Sequence, residues 1–151
     1  MLEIYVDADG CPVKDEVYRV AGRYGLTVWV VANAWLRVPD DPCVRRVTVA
    51  EGLDRADDWI AERIGPGDVA ITSDVPLAAR CVERGARAIT PDGRRFDAAS
   101  IGTALADRNL MTALREAGEI TSGGRPFTRQ DRSRFLNALD AAIQAIRRTG
   151  R

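Results

Sequence analysis

The chain has 151 residues, 46% hydrophobic and 29% charged with a formal net charge of zero, the balance of one globular domain spanning residues 1–151. It has no histidine, which excludes Ser-His-Asp and Cys-His catalysis, histidine general-base chemistry and His-ligated zinc. Catalysis, if any, falls to carboxylates, a metal, arginine or the single lysine, Lys14.

The elements alternate along the chain. A first strand over about residues 2–7 runs into Asp7-Ala8-Asp9-Gly10-Cys11-Pro12, and a helix from about Pro12 to Tyr24 is stopped by Gly25. Thr27 to Ala32 is a continuous apolar run, as a strand covered on both faces must be. Pro39-Asp40-Asp41-Pro42 reads as a surface turn before a third strand, about Val44 to Val49. A helix over about Leu53 to Ile64 ends at Gly65-Pro66-Gly67, and a fourth strand covers Val69 to Thr72. Pro76 to Arg84 reads as a helix, Ala88 to Thr90 as a fifth strand. The last third is helical, about Ile101 to Ala117 and Arg129 to Arg148, with Thr128 and Asp131 spaced as a capping signal. This alternation predicts an α/β fold: a mostly parallel five-stranded sheet, order 3-2-1-4-5, with helices on both faces.

No apolar run approaches the ~18 residues that cross a bilayer, and no signal-peptide pattern precedes the first strand, so a cytoplasmic location is expected. The three cysteines, Cys11, Cys43 and Cys81, form no CxxC pair and read as bystander thiols, Cys11 alone lying beside the acids. Charge is uneven: residues 1–91 carry 11 basic and 15 acidic side chains, residues 92–151 carry 11 and 7. That split suits an acidic metal pocket beside a basic surface, and equally an ordinary solvated surface.

The acids stand where ligands bind in open α/β sheets, outside the carboxyl ends of strands. Asp7 ends strand 1, and Asp9, two residues on, either shares its side or begins the turn as a cap. Asp54, Asp57 and Asp58 share one helical face, where they repel unless a cation or the helix dipole offsets them. Asp74 follows strand 4, which the order 3-2-1-4-5 places beside strand 1 with the switch-point crevice between them. Asn33, ending strand 2, reaches its rim, whereas Asp68 begins strand 4 and belongs at the opposite edge. An all-oxygen cluster favours Mg²⁺ or Mn²⁺. Such ions activate water and neutralise a phosphoryl transition state, so phosphodiester hydrolysis is the expected reaction. Asp7 and Asp74 would hold the metal, with Asp9, Asp57 or Asp58 completing the shell or orienting water. Lys14, Thr72, Ser73, Arg108 and Arg125 are candidate substrate contacts, with Arg115 and Arg129 as further anion-binding candidates. The Gly-Gly-Arg-Pro loop reads either as a rim over the site or as a plain connection.

Five segments resemble the bacterial YaiI/YqxD family: Asp7–Lys14, Val31-Ala32-Asn33, Gly52–Ile60, Gly67–Ala78 and Gly123-Gly124-Arg125-Pro126-Phe127. They match in order over nearly the whole chain. That family is similar in turn to PIN-like domains, three-layer metal-dependent ribonucleases. The resemblance implies that Asp7 is their strand-1 aspartate and that Ile71-Thr72-Ser73-Asp74 is their strand-4 motif. It implies a looser counterpart of the central-helix acid at Asp57 or Asp58. Thr90-Pro91-Asp92-Gly93 departs from the Asn-Pro-Arg-Gly expected there, which removes a phosphate-binding arginine unless Arg94 or Arg95 replaces it.

Two rival readings stand beside a nuclease acting on RNA. Asp7-Ala8-Asp9-Gly10-Cys11 also resembles the nucleophile loop of haloacid-dehalogenase-like phosphatases, but that fold needs a further lysine and acidic pair. The other is a non-catalytic metal- or RNA-binding module. No RNP-type aromatic motif or basic run is present.

Overall fold

Strands β1 (Ile4–Asp7) and β2 (Val28–Ala32) are continuous apolar runs because helices cover both faces of the sheet they build. The structure, a computed structural model, describes residues 2–9, 11–50, 55–107 and 126–149. Further strands are β3 (Val44–Thr48), β4 (Val69–Ile71), β5 (Arg87–Ile89) and β6 (Arg95–Phe96). The helices are α1 (Lys14–Tyr24), α2 (Arg55–Arg63), α3 (Val75–Glu83), α4 (helical over 101–107) and α5 (Arg129–Thr149).

The sheet order is β3-β2-β1-β4-β5-β6, parallel throughout except for the last pair. The first five strands have the expected order. The sixth is an addition to it: Phe96 pairs with Ala88 and Arg95 with Ile89, antiparallel. Its hairpin is closed by the Thr90 N–H on the Arg94 carbonyl at 2.9 Å, and Gly93 turns the chain with φ +93°. A Cβ on Gly93 would meet the Arg134 backbone at 2.8 Å, so only glycine fits. The Pro91-Asp92-Gly93 turn signal marks this hairpin in the sequence.

Side chains alternate across the pleat and build two cores. Ile4, Val6, Val28, Val30, Val69, Ile71 and Ile89 pack with Val13 and Val17 of the α1 segment and Phe135, Leu139 and Ile143 of α5. Tyr5, Val31, Ala70 and Ala88 face the other way, onto Ile60 of α2 and Leu77, Ala78 and Cys81 of α3. The result is three layers, helix–sheet–helix. Phe135 and Leu139 are fully buried, and truncating either to alanine is worth about 3–5 kcal/mol.

The ends of the elements follow local chemistry. Gly25 closes α1 in the left-handed region at φ +67°, its N–H on the Ala21 carbonyl. At α5 the capping signal is reciprocal: the Asp131 N–H donates to Thr128 Oγ1 at 3.1 Å and the Thr128 N–H to Asp131 Oδ2 at 2.9 Å. No helix among the described residues is long and apolar enough to cross a membrane.

Candidate functional site

Because β1 and β4 are parallel neighbours, the residues that leave their carboxyl ends emerge side by side. Asp7 is the last residue of β1 and is half-buried; Thr72, next after β4, is buried. The Thr72 hydroxyl donates to Asp7 Oδ2 at 2.8 Å and accepts the Asp74 N–H at 3.0 Å. One hydroxyl thus sets both acidic residues. Asp74 caps α3 through Oδ1, which accepts the Leu77 N–H at 3.1 Å, and Pro76 occupies the first turn, where its missing N–H costs nothing. Burial pushes the Asp7 carboxyl above the usual carboxylate range, the Thr72 hydrogen bond pulls it back, and Asp74 and Asp9 push it up again. These three carboxylates therefore act on one another.

Asp9 lies in the loop after β1 and reaches across to β2, its Oδ2 accepting the Asn33 N–H at 3.0 Å. It is not the cap of α1: Val13 holds that position, with no side-chain hydrogen bond. Asn33 contributes a buried side-chain Oδ1 that has no hydrogen-bond partner among the described residues. Lys14 Nζ donates to the Cys11 carbonyl at 2.8 Å and to that of Ala8 at 3.5 Å, so it ties down the loop that carries Asp9. Cys11 is buried and its thiol is pushed up by that burial; Cys81 is pushed up to about 12 for the same reason. Neither thiol is a ready nucleophile.

The helix acids divide. Asp58 forms an ion pair with Arg80 of α3, Oδ1 to Nη1 at 2.8 Å, with both side chains about half exposed. Asp57, beside it, also acts electrostatically on Arg80 and Cys81 of α3. The Cys81 thiol, raised first by burial and lowered by Arg80, is raised again by Asp57 and, more weakly, by Asp7. Asp74 and Asp9 both act on Asp7, whereas Asp58 is not among the groups that shift it. Ser73 is exposed at the crevice, and Arg129 is exposed at the start of α5. Asp54, Arg108, Arg115 and Arg125 lie outside the described residues, as does most of the Gly-Gly-Arg-Pro loop.

No group of three His, Cys, Asp or Glu side chains among the described residues is gathered closely enough to hold a metal ion. What the crevice offers is a set of oxygens in which each acid uses one atom for the fold. Asp7 Oδ2, Asp9 Oδ2 and Asp74 Oδ1 are hydrogen-bonded. Their other oxygens and the Asn33 Oδ1 accept no hydrogen bond from the described residues. Each acid thus keeps an acceptor oxygen, and the repulsion that Asp7 feels from Asp74 and Asp9 is of the kind that positive charge relieves.

Two side chains near this loop carried no signal in the sequence beyond their size. Trp35 and Phe127 are the exposed large hydrophobic residues among those described, at 65% and 37%. Each carries an arginine over its ring, Arg46 at 4.8 Å from the Trp35 centroid and Arg132 at 5.0 Å from that of Phe127. A lone aromatic outside the periodic segments, in Asn33-Ala34-Trp35, is the only hint the sequence holds.

Residues 5–145 match the family model described as "Uncharacterized BCR, YaiI/YqxD family". A "UPF0178 protein" of Rhodopseudomonas palustris strain BisB18 is 61% identical over 98% of this chain and 96% of its own length. Similar relatives occur in Nitrobacter winogradskyi strain Nb-255, at 58% over 97% of this chain and 94% of the relative. Another, in Bradyrhizobium sp. strain ORS 278, is 56% identical over 97% and 90%. No solved structure is a significant match.

Proposed function

The chain belongs to the YaiI/YqxD family, and we propose that it is a divalent-metal-dependent phosphodiesterase acting on RNA, with its site at the carboxyl ends of β1 and β4. The observation that carries this reading is the Thr72 bridge. A buried hydroxyl holds the Asp7 carboxylate and the Asp74 backbone together at the switch point of a parallel sheet, the place where such folds bind ligands. The resemblance to PIN-like nucleases points the same way, since their acids correspond to Asp7 and Asp74.

Asp7 and Asp74 would hold Mg²⁺ or Mn²⁺, with Asp9 completing the shell; the three acids do not converge on one point in the fold, so the ion would have to draw them together. Bound there, the ion supplies an activated water and neutralises charge on the phosphoryl group. The protein's own contribution is orientation. Thr72 fixes one Asp7 oxygen and leaves the other for binding, the α3 cap does the same for Asp74, and the Asn33 N–H does it for Asp9. Lys14 holds the Asp9 loop against the charge of its own acids. Asp57 or Asp58 of α2 would orient water, Asp58 already being paired with Arg80 of α3.

Asp74 serving as a helix cap favours one alternative, a non-catalytic metal- or RNA-binding module. Calorimetry with Mn²⁺ on the wild type and on Asp7→Asn/Asp74→Asn separates the acid site from mere capping, with circular dichroism as the folding check. Binding that vanishes in the folded double variant supports the site; RNA, then DNA, then phosphomonoesters are next tested for turnover. A folded wild type that takes up no Mn²⁺, alone or with RNA present, and cleaves nothing defeats the proposal.

A further inference from the structure

The two exposed aromatic rings are anchored to opposite ends of the same loop. Trp35 follows two residues after Asn33, whose N–H holds Asp9. Phe127 sits under Arg132, whose Nη1 donates to the Pro12 carbonyl at 2.7 Å and to Glu16 at 3.3 Å. Asp9 and Pro12 bound the segment that leads from β1 to α1, so the chain beside each ring is tied to that segment by a hydrogen bond, Trp35 through Asn33 and Phe127 through Arg132. Trp35 stands two-thirds in water, although a ring of its size gains from burial.

We propose that Trp35 and Phe127 are stacking platforms for unpaired bases of a single-stranded nucleic acid whose backbone crosses the Asp7–Asp74 crevice. This rests on reading the crevice as a phosphodiester site. Aromatic rings flanked by arginine suit that ligand: the ring takes the π-face of any base, and the guanidinium meets either a base plane or a phosphate. Arg46 supplies the cation at Trp35, while Arg132 at Phe127 is shared with Glu16, and Arg45 turns to the other face of β3, over the Trp29 ring. A second copy of the chain is the less fitting occupant of the β2 side. The edge strand beside Trp35 presents two adjacent exposed arginines, Arg45 and Arg46, which oppose strand pairing between copies.

The test uses the full chain carrying Asp7→Asn and Asp74→Asn, which blocks cleavage and removes two repelling charges, and reads fluorescence anisotropy of labelled ten-nucleotide oligouridylate and oligodeoxythymidylate. Trp35→Ala and Phe127→Ala, made in that background, each weaken binding about tenfold, while Trp35→Phe stays within about threefold. Both rings are exposed, so the alanine variants fold, and thermal melts confirm it. Binding that depends on Trp35 while the wild type cleaves nothing with Mg²⁺ or Mn²⁺ sinks the catalytic reading and keeps the platforms. Cleavage by wild type whose KM is unmoved by Trp35→Ala and Phe127→Ala does the reverse. Absence of oligonucleotide binding, or a wild-type dimer that Trp35→Ala dissociates, overturns the platforms.

Discussion

The two ends of the central strands use the same residue type for opposite purposes. At the amino end of β4, Asp68 spends both oxygens on the fold: Oδ1 accepts the Glu3 N–H at 2.9 Å and Oδ2 the Gly65 N–H at 3.0 Å. Glu3 beside it accepts from the Trp29 indole at 2.9 Å and, more weakly, from the Tyr5 hydroxyl. Burial together with Asp68 and Glu3 pushes that hydroxyl up to about 12. Those acids staple β1 to β4 and anchor an aromatic cluster of Tyr5, Trp29 and Trp59. At the carboxyl end, Asp7, Asp9 and Asp74 each give one oxygen to the fold and keep one back. An acid whose oxygens are all used is a structural part. An acid half used keeps an oxygen that the fold does not claim.

The largest separation between the two ends is expected in activity. Asp7→Asn and Asp74→Asn each lower metal-dependent phosphodiester cleavage on the order of a thousandfold, whereas Asp68→Ala leaves kcat within about twofold; steady-state rates on RNA decide it. Thr72→Val removes the bridge without changing side-chain shape and lowers the same rate about ten- to a hundredfold. An unchanged rate in that variant would mean the hydroxyl is only a structural tie.

Stability runs the other way. Asp68→Ala strands two N–H groups and costs about 2 kcal/mol in urea unfolding at neutral pH. The pH dependence of that penalty has a definite sign. Burial holds the Asp68 carboxyl above its ordinary range, outweighing the two N–H bonds that lower it. The folded state therefore binds the proton more tightly than the unfolded chain. The Asp68 contribution is fully present below the unfolded value of about 4 and declines as pH rises through the raised folded one. The Asp68→Ala penalty is thus larger at pH 4 than at pH 7, and a penalty that shrinks on acidification would contradict this account.

Smaller effects sharpen the picture. Mn²⁺ at a hundredfold excess over Kd stabilises the wild type by about 2.7 kcal/mol, raising its melting temperature by roughly 5–10 °C, and leaves Asp7→Asn/Asp74→Asn unmoved. Arg80→Ala, which breaks the exposed pair with Asp58, changes stability by no more than about 0.5 kcal/mol. If it instead abolishes turnover, Asp58 belongs to the site through Arg80.

Much of this architecture is written in local pattern. Strand alternation, the glycine stop at Gly25, the Thr128–Asp131 cap and the short crossovers leave few topologies open, and the order of the first five strands follows from right-handed connections. Sequence spacing was also enough to separate Asp68 from Asp74, because a residue that begins a strand and one that follows its end must lie at opposite edges. The two-residue β6 was not legible as a strand, since so short a segment has no periodicity and exists only by pairing with β5.

The individual duties of the acids lay beyond the chain's own text. A DxD at a strand end reads equally as a cap or a ligand pair. Only the packed sheet decides that Val13 occupies the α1 cap, that Asp9 turns to Asn33 and that Asp74 does the capping at α3. The same holds for Asp57 and Asp58: helical spacing puts them on one face, but only the position of α3 gives Asp58 to Arg80. What the sequence by itself determined is therefore the layer order and the edge on which the carboxylates gather, because periodicity and chirality act locally. Which oxygens the fold consumes, and which rings stay exposed, were decided by tertiary structure, because hydrogen-bond partners and exposure depend on residues distant in the chain.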